Sequence, residues 1–232
     1  MRIIVTEFPK SGGSWLTTLL GDALALPKRD IEVKPELFDL RRHPWYAGAE
    51  SWGLTESCVI KSHELPDSPK TDFPARYLHL IRDGCDVVVS MYFFETEFCV
   101  KNGIYKEFEV PFDVYVARTA QAWRDYVTRW RTQATNTVRY EDLLADPVAT
   151  VQKALRQLEL SAPLERLRAA VEQNTAGKFS QKLSGLFAHN TFVRKATRGD
   201  WRNHFTRDNA QTFRSIAGDL LVELGYEQNL DW

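Results

Sequence analysis

No stretch of this chain approaches the roughly 18 consecutive apolar residues that a bilayer-spanning helix requires, so no membrane span is expected. The N-terminus runs almost at once into a strand-like segment, Arg2 to Phe8, which leaves no room for the basic and apolar regions of a signal peptide. A cytoplasmic location is the expectation. Cysteine is scarce: Cys58, Cys85 and Cys99 are odd in number and lack metal-ligand spacing, which suits reduced thiols buried as small apolar groups. An excess of charge is missing as well, because 30 Lys and Arg stand against 31 Asp and Glu, for a formal charge of −1. That removes the global electrostatic case for nucleic acid or an anionic membrane as partner. Any anion site must be local. Internal repeats and low-complexity tracts are also lacking.

What is present fits one globular domain spanning 1–232, since 44% hydrophobic and 26% charged residues in 232 supply a sizeable core. Its organising stretch is the first two dozen residues. Ile3, Ile4 and Val5 are contiguous and β-branched, as in a strand buried on both faces, and Leu16, Leu19, Leu20, Ala23 and Leu24 recur at helical spacing. Between them lies Pro9-Lys10-Ser11-Gly12-Gly13-Ser14. Two glycines let the backbone turn its N–H groups inward, the helix presents its N-terminus and Lys10 adds a positive charge, so a phosphate-like anion is expected there. The loop is not a Walker A sequence, because its lysine precedes the glycines.

Further strands are predicted at Cys58–Ile60, Arg76–Ile81 and Thr137–Arg139. Helices are predicted at 86–94 with Asp83 as N-cap, along a long segment opened by Pro111, and at 147–158, 164–174 and 209–224, the last closed by Gly225. Pro27 to Ser57 reads as an irregular excursion with a short helix, and 95–110 and 175–207 read as loops. The alternation of strands and helices favours an α/β fold, a central parallel sheet flanked by helices. Such sheets bind ligands beyond the carboxyl ends of their strands. Lys10, then Lys61 and His63, then Arg82, then Tyr140 each come after one predicted strand.

Three segments carry a resemblance. Pro9-Lys10-Ser11-Gly12-Gly13-Ser14-Trp15 resembles the 5′-phosphosulfate loop of the sulfotransferases that use 3′-phosphoadenosine 5′-phosphosulfate (PAPS), usually Pro-Lys-Ser-Gly-Thr-Thr-Trp. Tyr77 to Ser90 resembles their 3′-phosphate motif, and Arg194-Lys195-Ala196-Thr197-Arg198-Gly199-Asp200-Trp201-Arg202-Asn203 resembles their C-terminal Arg-Lys-Gly-x-x-Gly-Asp-Trp-Lys-Asn signature, with Ala196 in place of the first glycine. The resemblance implies a single-domain, P-loop-like α/β fold and nucleotide binding. It assigns Lys10, Ser11, Gly12, Gly13 and Ser14 to the 5′ end of the donor, and Arg82, Ser90, Arg194 and Lys195 to its 3′-phosphate. Trp15 and Tyr140 are assigned to adenine by the same resemblance, with Thr175 and Phe179 as further candidates.

Lys61-Ser62-His63-Glu64-Leu65-Pro66 resembles the family's Lys-Thr-His-Leu-Pro segment. His63 is therefore the expected base that deprotonates an acceptor hydroxyl, because its ordinary pKa leaves much of it neutral at pH 7. Lys10 and Lys61 would stabilise charge on the sulfuryl and bridging oxygens. His43, His79, His189 and His204 read as structural. The expected reaction is sulfation of a small alcohol or phenol, with release of the bisphosphate PAP and with no metal, since the sequence offers no His/Cys cluster. A kinase of the same sheet and a catalytically silent nucleotide-binding protein are the rival readings. Trp45, Tyr46, Trp52, Phe93, Phe94, Phe98 and Tyr105 are the aromatic candidates for an acceptor pocket, whose ligand the sequence does not name. The dimerisation pattern of many animal members has no counterpart at 206–209.

Overall fold

Ile3, Ile4 and Val5 form the fully buried middle of strand β1, Arg2–Glu7, which is hydrogen-bonded on both sides. The structure is a computed structural model that describes residues 1–30, 57–133, 136–184, 189 and 192–232. Four more strands complete the sheet: β2 (Lys28–Asp30), β3 (Cys58–Ser62), β4 (Arg76–Ile81) and β5 (Thr137–Arg139), in the order β2-β3-β1-β4-β5. Every pairing is parallel, with Thr6 opposite Ser62 on one side and His79 on the other. The carboxyl ends of all five strands therefore share one rim.

Helices cover both faces, as uninterrupted apolar strands demand. On one face α1 (Gly13–Leu24), α5 (Pro147–Gln157) and α6 (Leu164–Gln173) bring Leu16, Leu19, Leu20, Val151, Leu155 and Leu167 onto Ile3, Val5, Val59 and Leu78. On the other, α2 (Gly84–Phe93), α3 (Phe112–Gln133) and α8 (Arg207–Glu223) pack Val87, Val88, Trp123, Val127, Phe213 and Leu221 around Ile81. The β-branched run Val87–Val89 is helical because Asp83 accepts from Cys85 N at 2.9 Å and all three valines are buried. Gly225, at φ 72°, comes just after the end of α8 as expected.

Several segments differ from the expectation. In 95–110, which reads as a loop, Phe94–Cys99 continues α2 as π-helical turns, because Phe98 and Cys99 gain burial by staying wound. Within 175–207, which also reads as a loop, Ala176–Ser184 forms α7 and Asp200–Asn203 a 3₁₀ turn; Phe179 anchors the first by packing on Trp15. The six residues Tyr140–Ala145 form a short helix, α4, that periodicity over so few positions does not reveal. The edge strand β2 falls inside the expected irregular excursion and is held by its register with β3, Asp30 lying opposite Lys61. Trp45, Tyr46, Trp52 and His43 lie outside the described residues. No described helix is long and apolar enough to cross a membrane.

Candidate active site

The site is assembled at the carboxyl ends of the strands. After β1 the chain turns tightly, Ser11 N donating to Phe8 O at 3.2 Å, and Lys10 and Gly12 take left-handed backbones at φ 71° and 102°. Gly12 is the N-cap of α1 and has no capping side chain, so the first-turn amides look to other acceptors. One is supplied by the chain itself: Gly13 N donates to the carboxylate of Glu7 at 2.5 Å. The Ser11 hydroxyl is buried and has no hydrogen-bond partner among the described residues. Ser14 is half-buried in the first turn, where its carbonyl accepts from Thr18 Oγ1 at 2.8 Å.

Lys10 points into an aromatic corner. Its ammonium stands 4.2 Å from the centroid of Phe94 and 4.0 Å from that of Phe192, and donates to Phe192 O at 3.1 Å. Burial lowers its pKa to about 7, with Glu7 resisting and the Arg82 and Lys61 charges assisting. Glu7 is shifted the other way, also to about 7, because burial outweighs the pull of Lys61, the Gly13 amide and Lys10.

The next strand end supplies Lys61 and His63. Lys61 is buried and ion-paired with Asp30 at 3.0 Å. His63 Nδ1 lies 2.9 Å from the backbone carbonyl of Glu7. A carbonyl can only accept, so Nδ1 carries the hydrogen and Nε2 keeps its lone pair. Burial and the nearby Lys61 charge lower the imidazole pKa to about 3, so it is neutral at physiological pH.

Arg82, the first residue past β4, joins three parts of the site. Its Nη1 donates to Lys10 O at 2.9 Å and its Nη2 to Thr197 O at 3.3 Å, while the guanidinium lies 4.5 Å from the Tyr140 ring centroid. Its Nε is buried without a partner among the described residues. Tyr140, just past β5, is buried, and a Cβ on Gly12 would stand 2.6 Å from its ring. Trp15 donates from Nε1 to Asn174 O at 2.6 Å and packs on Phe179. Ser90 is half-buried in the second turn of α2, and no hydrogen bond joins it to Arg82.

In the C-terminal tract Arg194 and Lys195 both bond to Asp200, and the Arg194 guanidinium sits 4.9 Å from the Phe93 centroid. Burial penalises the Asp200 charge, but bonds from Lys195, Arg194 and Asn203 outweigh it and hold the carboxyl below the usual range. Ala196 adopts φ 52°, a left-handed backbone that glycine takes without a steric cost. Lys10, Lys61, His63, Arg82 and Tyr140, each at or just past the end of a strand, thus share one rim, and the Arg82 bond to Thr197 O brings the C-terminal tract to it. His79 is structural, stacked on Trp130 at 5.9 Å with its Nδ1 3.3 Å from Thr6 Oγ1.

Sequence reasoning missed the carboxylates that hold these cations. Glu7 was visible as a charge ending an apolar strand, and Asp200 as a charge inside a basic tract. Asp30 gave no signal, because its role depends on β2 pairing with β3. Asp86, inside α2, accepts from Gly199 N at 2.6 Å and Trp201 N at 2.9 Å, a contact across 113 and 115 positions that local spacing cannot reveal.

Residues 1–225 match the model of the sulfotransferase domain family. The chain belongs to the sulfotransferase family. This sulfotransferase is 26% identical to sulfotransferase 2A1 of Homo sapiens over 249 residues, covering 97% of the chain and 86% of the relative. It is 26% identical to a 3-alpha-hydroxysteroid sulfotransferase of Cavia porcellus over 248 residues, covering 98% and 85%. Its fold is shared with mouse sulfotransferase SULT7A1 complexed with PAP (TM-score 0.71, 17% identity, 97% and 86% covered). It is shared too with retinol dehydratase in complex with androsterone and PAP (TM-score 0.70, 17% identity, 95% and 80% covered). The arrangement of cations around the first loop is thus carried on a sulfotransferase fold.

Proposed function

We propose that this enzyme, a single domain acting in the cytoplasm, transfers a sulfuryl group from PAPS to the hydroxyl of a small alcohol or phenol and releases PAP. The observation that carries the reading is the meeting of Arg82 with Lys10 across 2.9 Å, at the rim that also holds Lys61 and His63. The residues fit an anionic nucleotide: the Ser11 hydroxyl and Arg82 Nε are buried polar groups awaiting partners, and Gly12, where a Cβ would meet the Tyr140 ring, lets the loop pack against that residue. In this assignment Lys10 and residues 11–14 hold the 5′ end, Arg82, Ser90, Arg194 and Lys195 the 3′-phosphate, and Tyr140 and Trp15 the adenine. PAPS supplies the activated sulfuryl group.

The chain's own residues perform the rest. His63 presents Nε2 to the acceptor hydroxyl in the tautomer fixed by the Glu7 carbonyl and takes its proton. Its basicity is low in the resting site, and negative charge arriving beside it raises the pKa toward the working range. Lys61, steadied by Asp30, and Lys10 face the negative charge that develops during transfer. Phe94, Phe98 and Phe192 pack together beside Lys10, with centroids 5.0 to 5.6 Å apart, and give the acceptor side an apolar wall. The relatives described with hydroxysteroid, androsterone and retinol support an apolar alcohol.

Incubation with labelled PAPS and a panel of phenols, sterols and aliphatic alcohols should give labelled sulfate esters. His63→Ala should abolish turnover while leaving PAP binding within about threefold of wild type, since the base serves the acceptor side. Thermal stabilisation by magnesium-ATP but not by PAP would overturn the donor assignment.

A further inference from the structure

Asp200 is 7% exposed and surrounded by donors: Arg194 Nη2, Lys195 Nζ at 2.9 Å, Asn203 Nδ2 at 3.0 Å and His204 Nε2 at 3.1 Å. Its backbone is pinned in turn, because Asp86 accepts from the amides of both flanking residues, Gly199 and Trp201. A buried carboxylate needs partners, but these exceed that need in one respect. Two of the four are cations, which leaves the trio of Arg194, Lys195 and Asp200 with one net positive charge. The guanidinium is engaged through Nη2, and this sets its plane. Its Nε is buried and has no partner among the described residues. An oriented, desolvated donor beside surplus positive charge points to an anionic ligand.

We propose that Asp200 is a positioning residue for 3′-phosphate recognition, fixing the Arg194 guanidinium and the Lys195 ammonium so that their remaining donors, Arg194 Nε foremost, meet that phosphate. The inference rests on the donor reading above. Without Asp200 the two long side chains sample many rotamers and must be ordered by the ligand, which weakens the response to the 3′-phosphate and to nothing else.

The test is calorimetric titration with PAP and with 5′-AMP, which lacks the 3′-phosphate. Wild type should prefer PAP strongly. Asp200→Asn should lower that preference by at least about tenfold, with AMP affinity held within about twofold, and in an Arg194→Ala background the same change should alter the preference by less than about threefold. A preference that stays constant or increases overturns the inference, as does equal weakening of both nucleotides, which marks a purely structural role. Should Asp200→Asn fail to fold, Asp200→Glu keeps the charge but displaces it by a methylene; it must show the same loss, and wild-type preference in that variant overturns the inference. No preference for PAP in wild type overturns the donor reading, and this inference with it.

Discussion

Gly12→Ala strikes the first loop at its tightest point. At φ +102° an L side chain is strained whatever space surrounds it, and a Cβ there would lie 2.6 Å from Tyr140 Cδ2 and 2.9 Å from Cε2. The ring has little room to retreat, being buried in the core with the Arg82 guanidinium against it. The backbone term costs about 1–2 kcal/mol and the overpacking about 1–3 kcal/mol, for a destabilisation of about 2–5 kcal/mol. At roughly 2–4 °C per kcal/mol for a chain of this size, scanning calorimetry should record a fall in Tm of roughly 4–20 °C. Tyr140→Ala isolates the steric part. In that background Gly12→Ala should cost only the backbone share, about 1–2 kcal/mol. An equal cost in both backgrounds, or a single variant melting within about 2 °C of wild type, would refute the reasoning.

The same geometry yields three further outcomes. Lys10 is lowered to about 7 and Glu7 raised to about 7; below that pH the lysine is charged and the carboxyl neutral, the pair of states a polyanion prefers, and both are lost as pH rises. PAP affinity should therefore weaken on the order of tenfold between about pH 7 and about pH 8.5, with net proton uptake on binding, and a flat profile would count against it. Arg82→Ala should weaken PAP by roughly 2–5 kcal/mol, and Arg82→Lys should recover only part of this because an ammonium cannot bridge Lys10 and Thr197 as a fork does; wild-type affinity in the alanine variant would be decisive against the role. Ala196→Gly relieves a left-handed alanine at the expense of chain entropy, so stability should rise by about 0.5–1 kcal/mol, and a lower Tm would show that the methyl packs usefully.

The cations of the site were legible because a parallel sheet sends every strand end to one rim, so residues placed after Val5, Ile60, Ile81 and Arg139 had to converge. Two of the anions were not, because they act through contacts distant in sequence: Asp30 reaches Lys61 across 31 positions and Asp86 reaches Trp201 across 115. Winding escapes the sequence for the same reason. Phe94-Glu95-Thr96-Glu97-Phe98-Cys99 is too short for its period to be read, and its winding buries Phe98 and Cys99. Phe179 likewise orders α7 through Trp15, a partner more than a hundred residues away.

The imidazole of His63 hangs by Nδ1 from a main-chain oxygen, the last carbonyl of the first strand. Its tautomer is thus insulated from point changes in the neighbouring walls, since no single replacement of a contact side chain deletes that oxygen. In the proposed mechanism, an aromatic residue on the acceptor side could be exchanged to suit a differently shaped alcohol while the same carbonyl goes on orienting the imidazole. Replacing Phe94 or Phe192 would disturb the corner that holds Lys10, and replacing Phe98 would disturb the winding of 94–99, but none of these changes removes the oxygen that fixes the His63 tautomer.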